Sequence, residues 1–127
     1  MSRVFALVAA LAAVAMLSFS AGAGASSAPQ AHAAGKCRLG AKESRHMGAS
    51  YVTSLHVKRT SCKTGKSVVR AFNACRHRSG GAKGHCHHKV KHYSCSEHRA
   101  GISVQYDASV SCKRGSRRVS FTYTQNT

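Results

Sequence analysis

Six cysteines, all between Cys37 and Cys112, fall in a chain of 127 residues. An even number of cysteines in a short exported chain reads as a disulfide framework, here three bridges. Export is indicated by the first residues. Arg3 opens a positive region, Val4 to Leu17 is an apolar run without charge, and Ala-x-Ala sites follow at Ala23/Ala25 and Ala31/Ala33. The run is too short for a stop-transfer helix, so it reads as a signal peptide over residues 1–25, with cleavage after Ala33 as the alternative. No cysteine follows the apolar run directly, so no lipid anchor is expected, and no transmembrane anchor remains after cleavage. The expected product is a secreted monomer.

Between the leader and the first periodic segment, residues 26–50 are small, polar and glycine-punctuated, and read as a disordered tail and a lead-in loop tied down by Cys37. The stapled domain is expected over residues 51–127. Tyr51 to Arg59 alternates as a half-buried strand. Next comes Thr60 to Arg76, where Val68, Val69, Phe72 and Cys75 recur at helical spacing. Thr60 or Ser61 can cap this helix, Arg76-His-Arg78 suits its C-terminus, and Ser79-Gly-Gly81 stops it. Three more strands are expected: His88 to Cys95; Ile102 to Cys112, with Val104, Tyr106, Ala108, Val110 and Cys112 on one face; and Arg118 to Thr124, with Val119, Phe121 and Tyr123 on one face. Glu97-His98-Arg99 reads as a polar turn between the second and third strands. The order is β-α-β-β-β, an α+β fold with one helix on a four-stranded antiparallel sheet.

This topology suggests a connectivity among the fifteen possible. If the first strand starts at the lower end, Cys62 at the helix start lies at the upper end with Cys95. Cys75, Cys86 and Cys112 lie at the lower end. The expected bridges are therefore Cys62–Cys95, a local clip Cys75–Cys86, and Cys37–Cys112.

Three stretches carry a resemblance: Val57-Lys-Arg-Thr-Ser-Cys-Lys-Thr-Gly-Lys-Ser-Val-Val-Arg-Ala-Phe72, Tyr93-Ser-Cys95, and Val110-Ser-Cys-Lys-Arg-Gly-Ser-Arg-Arg-Val-Ser-Phe121. They resemble a group of small exported, cysteine-rich actinobacterial proteins sharing a T-S-C at a helix start, an aromatic-x-C and a V-x-C-x-x-G-x-R-x-V pattern. The likeness spans most of residues 51–124. It implies the fold and no activity, since the group has no established function. Plainer members lack the Cys75 and Cys86 positions together, which fits a dispensable clip.

Charge is the main functional signal. Twenty Lys and Arg stand against three acids, a formal net charge of +17, with nine histidines besides. Three acids leave almost no room for paired-carboxylate catalysis, and no Gly-x-Ser-x-Gly elbow occurs. Thr64-Gly-Lys-Ser67 echoes the end of a phosphate loop, but Thr60 stands where that loop needs glycine; Gly65 reads as an accident of the helix start. His85 and His87 share a face if extended and are the weak metal candidates; no cofactor is expected.

Two basic loops are the better site. Arg76, Arg78 and Lys83 flank one; Lys113, Arg114, Arg117 and Arg118 flank the other. The expected topology brings both to the lower end, with Lys36 and Arg38. The plainer alternative is a uniformly basic surface that only keeps the protein soluble. The reading is a secreted cationic module that binds anionic polymers or cell-surface material without catalysis. Specific nucleic-acid recognition is not expected, because no motif or aromatic ladder is present. The alternatives are a nuclease-like hydrolase using His98 with Arg99 or Lys91, and an inhibitor of another exported protein.

Overall fold

A computed structural model describes residues 34–127. The expected leader, both cleavage points and the first part of the tail lie outside the described residues. The described chain contains β1 (Gly35–Lys36), α1 (Ala41–Arg45), β2 (Tyr51–Lys58), α2 (Cys62–Arg78), a 3₁₀ turn at Gly81–Lys83, β3 (Ser94–Ile102), β4 (Gln105–Arg114) and β5 (Arg117–Asn126). The fold is α+β: one main helix lies on an antiparallel sheet. The sheet has five strands rather than four, in the order β1-β2-β5-β4-β3. The extra strand is the two-residue β1, which the lead-in adds to the edge of β2 by pairing Lys36 with His56. Met47 and Ala49 of the lead-in are buried in the core.

The helix forms where its stripe, cap and stop coincide. Ser61 Oγ accepts from Thr64 N at 3.1 Å, so Ser61 is the cap, and three basic residues occupy the last turn. Val68, Val69 and Phe72 bury themselves against the sheet, each removing surface worth roughly 1.5–3 kcal/mol. Phe72 meets the edge of Phe121 at 5.6 Å between centroids. Gly65 is no accident of the helix start, because a Cβ there would come within 2.7 Å of Val57 Cγ1. A helix-interior glycine costs about 1 kcal/mol relative to alanine, and here it lets α2 close onto β2.

The sheet's inner face carries Leu55, Val57, Val119, Phe121, Tyr123, Tyr106, Ala108, Val110 and Cys112, all buried. On the opposite face each strand is polar. Valine and aromatic residues alternating with Ser and Thr on β4 and β5 give the period of two that a one-sided sheet requires.

The second expected strand is displaced. Glu97-His98-Arg99 is no turn but the middle of β3, and the hairpin turns at Ser103-Val104 instead. The stretch before it, from Gly84 to Tyr93, is a connection that climbs from the end of α2 back to the upper end. One strand was expected where a connection and a strand stand in series. Consequently β3, β4 and β5 each run opposite to the expected direction.

This reversal accounts for the bridges. Cys75–Cys86 forms as expected. Cys62–Cys95 and Cys37–Cys112 do not; the bridges are Cys37–Cys62 and Cys95–Cys112. With β4 running upward, Cys112 reaches the upper end and lies opposite Cys95 in the β3–β4 register. β1 pairs alongside β2, and Cys37 N donates to Leu55 O at 2.8 Å, which brings Cys37 to the start of α2. Closing loops of 25, 11 and 17 residues is worth roughly 3 kcal/mol each in the chain-entropy account.

Candidate anion-binding surface

The same reversal divides the expected basic pole. Lys113, Arg114, Arg117 and Arg118 lie at the upper end, because β4 and β5 are joined there. Arg78 and Lys83 remain at the lower end, at the close of α2. Arg76 belongs to neither surface, since it is 0% exposed. A helix of 17 residues spans about 25 Å. Its ends therefore lie about three Debye lengths apart at physiological salt and act as separate electrostatic regions.

At the upper end the strand register lines up like charges. Lys58 pairs with Arg118, and Arg118 pairs with Lys113, so three cations stand in one row across β2, β5 and β4. One residue on, Arg114 pairs with Arg117 around the hairpin. Neighbouring strands are about 4.8 Å apart, and like charges placed directly opposite destabilise a sheet. None of these five cations has a carboxylate within 4 Å among the described residues. Glu43 is paired with Lys66 and Arg70, and Glu97 with Arg99 and His85. Asp107, on the outer face, accepts from Thr124 Oγ1.

Below the row the outer face continues as a field of hydroxyls. His56, Ser120, Ser111 and Ser96 are in register across four strands, and so are Ser54, Thr122, Ser109 and His98. Together they line a shallow hollow of about 400 Å³. Thr122 Oγ1 lies 2.6 Å from Thr53 Oγ1 and 2.7 Å from Ser54 Oγ. A second hollow of about 260 Å³, bounded by Lys36, His56, Lys58, Arg118 and Ser120, joins the field to the row. The one Phe, Tyr or Trp that borders either hollow is Phe121, which is 2% exposed with its ring turned inward against Phe72, so neither hollow has an exposed ring for stacking sugars or bases. What this face offers is positive charge and small hydrogen-bonding groups.

The acid, imidazole and guanidinium of Glu97-His98-Arg99 part company as strand alternation demands. His98 is on the outer face, while Glu97 and Arg99 point inward. There they meet residues that proximity in sequence could not indicate. Arg99 Nη2 lies 2.9 Å from Glu97 Oε2, His85 Nδ1 lies 3.1 Å from the same oxygen, and the Tyr123 hydroxyl donates to Glu97 Oε1. Arg99 also donates to the carbonyls of Lys83 and Gly84, and its guanidinium lies 4.5 Å from the Tyr106 ring centroid. Burial pushes the Tyr123 phenol well above the ordinary tyrosine range, and the hydrogen bond to Glu97 pushes it further. Burial opposes the Arg99 charge, but Glu97, together with Tyr123 and Tyr106, more than offsets it and raises the pKa.

This cluster is a fastening for the 82–88 connection. Arg99 Nη1 lies 3.3 Å from His85 Nε2; since a guanidinium only donates, Nε2 accepts and Nδ1–H faces Glu97. Both ring nitrogens are thus engaged, and the Glu97 side chain is only 7% exposed. The hydrolase alternative required His98 to act with Arg99 or Lys91. The structure places these on the outer face, the inner face and the upper turn respectively. His85 and His87 have ring centroids 6.0 Å apart, but His85 is committed to Glu97 and Arg99. Among the described residues no group of three His, Cys, Asp or Glu could hold a metal ion.

Sequence reasoning missed Lys58 as a partner of Arg118, because the expected direction of the last strand put the two at opposite ends. It also missed the Glu97/Arg99 spacing of two, which signals a shared face only once the segment is known to be a strand. No family model, no curated protein and no solved structure matches the chain.

Proposed function

We propose that this is a secreted cationic module that binds anionic polymers at the upper end of its sheet, by charge and hydroxyl contacts and without catalysis. One observation carries the reading: the outward cross-strand row Lys58–Arg118–Lys113, with Arg114 and Arg117 one residue on and facing the other side, gathers five cations at one end with no acid among the described residues within 4 Å. A sheet gains nothing from such a row, whereas an anionic chain laid across it removes the repulsion and releases its own counterions. Three disulfides support an oxidising compartment; among the described residues no helix is long and apolar enough to cross a membrane. The likeness to small exported actinobacterial proteins is part of the same reading, as is a monomeric state.

Titration with heparin or duplex DNA at several salt concentrations tests it. If the three cations of the outer row each neutralise one phosphate of a duplex, log K should fall against log salt with a slope of about −2.7. Lys58→Glu with Arg118→Glu should remove about two units of that slope. Arg78→Glu with Lys83→Glu, an equal change of charge at the other end, should leave most of the slope in place. Equal losses from both double variants would show that only net charge matters and would sink the assignment.

A further inference from the structure

The cationic row faces outward, but the upper end also has an inner side. There a cavity of about 410 Å³ opens between the first two turns of α2, the turn before β3 and the end of β4. Three elements supply its polar groups: Lys63, Thr64 and Ser67 from α2, Lys91 and His92 from the turn, and Arg114 from β4. Val68 and Tyr93, 0% and 1% exposed, close it from behind. No hydrogen bond or ion pair within the described residues engages the side chains of Lys63, Lys91, His92 or Arg114.

The turn itself is unusual. Val90 and Tyr93 exchange backbone hydrogen bonds of 3.0 and 2.8 Å, and both residues between them are left-handed, Lys91 at φ 51° and His92 at φ 65°. A two-residue turn of this kind ordinarily takes Asn-Gly. Here it holds two basic side chains whose backbone preferences oppose it. Arg59, at φ 54°, is the other described non-glycine residue with positive φ, and it too is basic and at the upper end.

We propose that this cavity seats a phosphate monoester at the terminus of the anionic polymer, an inference that rests on the polyanion reading above. Charge decides the group. An internal phosphodiester carries one charge, whereas a terminal phosphate carries nearly two at pH 7 and three acceptor oxygens. That matches a pocket where Lys63, Lys91 and Arg114 converge with the Thr64 and Ser67 hydroxyls. The β4–β5 hairpin separates this seat from the outer row, so a polymer can lie across the row and end in the cavity.

The test compares one DNA duplex in 5′-phosphorylated and 5′-hydroxyl forms, at pH 7.5 and physiological salt, with the disulfide-bonded protein. The phosphorylated form should bind about tenfold more tightly, the worth of one added charge-assisted hydrogen bond or more. Lys91→Gln with Arg114→Gln should erase the ratio. Lys58→Glu with Arg118→Glu should weaken both forms and keep it. Lys91→Asn with His92→Gly, which suits the turn, should raise Tm and still erase the ratio, separating the seat from any loss of folding. Competition by millimolar inorganic phosphate that removes only the end preference would support the seat and show that it also takes the free oxyanion. Tight binding of both duplex forms with a ratio of one would overturn the terminal seat and leave the polyanion surface standing. Failure of both forms to bind would overturn both.

Discussion

Arg76 and Arg118 are the same residue put to opposite uses. Arg76 is wholly enclosed at the lower end. Its Nε donates to Asn73 Oδ1 at 3.2 Å, its Nη1 to Ala82 O at 2.7 Å and Tyr106 Oη at 2.9 Å, and its Nη2 to Gln125 Oε1 at 2.7 Å. The Tyr123 ring centroid lies 4.9 Å away. No carboxylate neutralises it; its charge is held by neutral dipoles and a ring face. Arg118 is exposed, stands between two lysines across the sheet, and has no hydrogen-bond or ion-pair partner for its side chain among the described residues. Arg76 is used to build the fold, whereas the row that Arg118 belongs to stands in solvent; Arg78 and Lys83 stay exposed at the lower end too. Net charge distinguishes nothing here; burial and the identity of the neighbours do.

If that contrast is right, Arg76→Ala should be among the most damaging single changes in the molecule. It strips four groups of their donor and leaves a cavity beside Phe72 and Tyr123. A loss of about 3–5 kcal/mol is expected, a large share of the stability of a domain this size. Lysine should not rescue it, because one ammonium cannot reproduce a planar fork reaching four acceptors. Arg118→Ala should change stability by less than about 0.5 kcal/mol. Urea unfolding of the three variants measures this, and comparable losses for Arg76→Ala and Arg118→Ala would erase the distinction between the two arginines.

A second enclosed charge, in the middle of β3, sharpens the comparison. Glu97→Gln keeps the shape of the side chain but removes the charge that faces Arg99, whose side chain is 17% exposed. We expect a loss of about 2–3 kcal/mol, smaller than for Arg76→Ala because His85 and part of Arg99 can reach water. The connection over residues 82–88 should exchange its amide hydrogens faster in this variant, while β4 and β5 keep their protection. Uniform loss of protection across the sheet would mean that Glu97 supports the whole fold and not that connection.

How much of this was legible follows from where the information lies. α2 announced itself because stripe, cap and stop are all local to it. β4 and β5 were readable because Tyr106, Ala108 and Val110, then Val119, Phe121 and Tyr123, alternate with polar residues. β3 was not, because its inward residues after Cys95 are Glu97 and Arg99 while its outward ones are Ser94, Ser96 and His98. Both faces are polar, so no period of two appears. The groups that make inward charge tolerable, His85 and Tyr123, lie 12 and 26 residues away. An inward-pointing charge also suits an edge strand, since it discourages pairing with another sheet. That one unreadable strand reversed the three that follow the helix, moved Cys112 to the other end, and separated the two basic loops. The Glu97 cluster and the Lys58–Arg118–Lys113 row are therefore products of register, which composition and spacing do not encode.

Glu43 supplies a case between the enclosed and the exposed charges and the smallest expected effect. It lies on α1, is partly exposed, and accepts from Lys66 Nζ at 2.8 Å with Arg70 at 3.7 Å. The hydrogen bond from Lys66 holds its carboxyl below the ordinary glutamate range. The folded state therefore prefers the ionised form more than the unfolded chain does. Its contribution is fully present above the unfolded value, near pH 4.5, and fades as pH falls through the lower folded value. Since the pair is solvated, its worth is small. Glu43→Gln should leave Tm at pH 2 unchanged relative to wild type and lower it slightly at pH 7, with the gap opening as pH rises through 4.5. The gap should narrow at high salt, which screens exposed pairs. A gap as large as that of Glu97→Gln, or one that does not depend on pH, would show that α1 is held by Glu43 in the manner of the enclosed charges, and the division between enclosed and exposed charge would have to be redrawn around it.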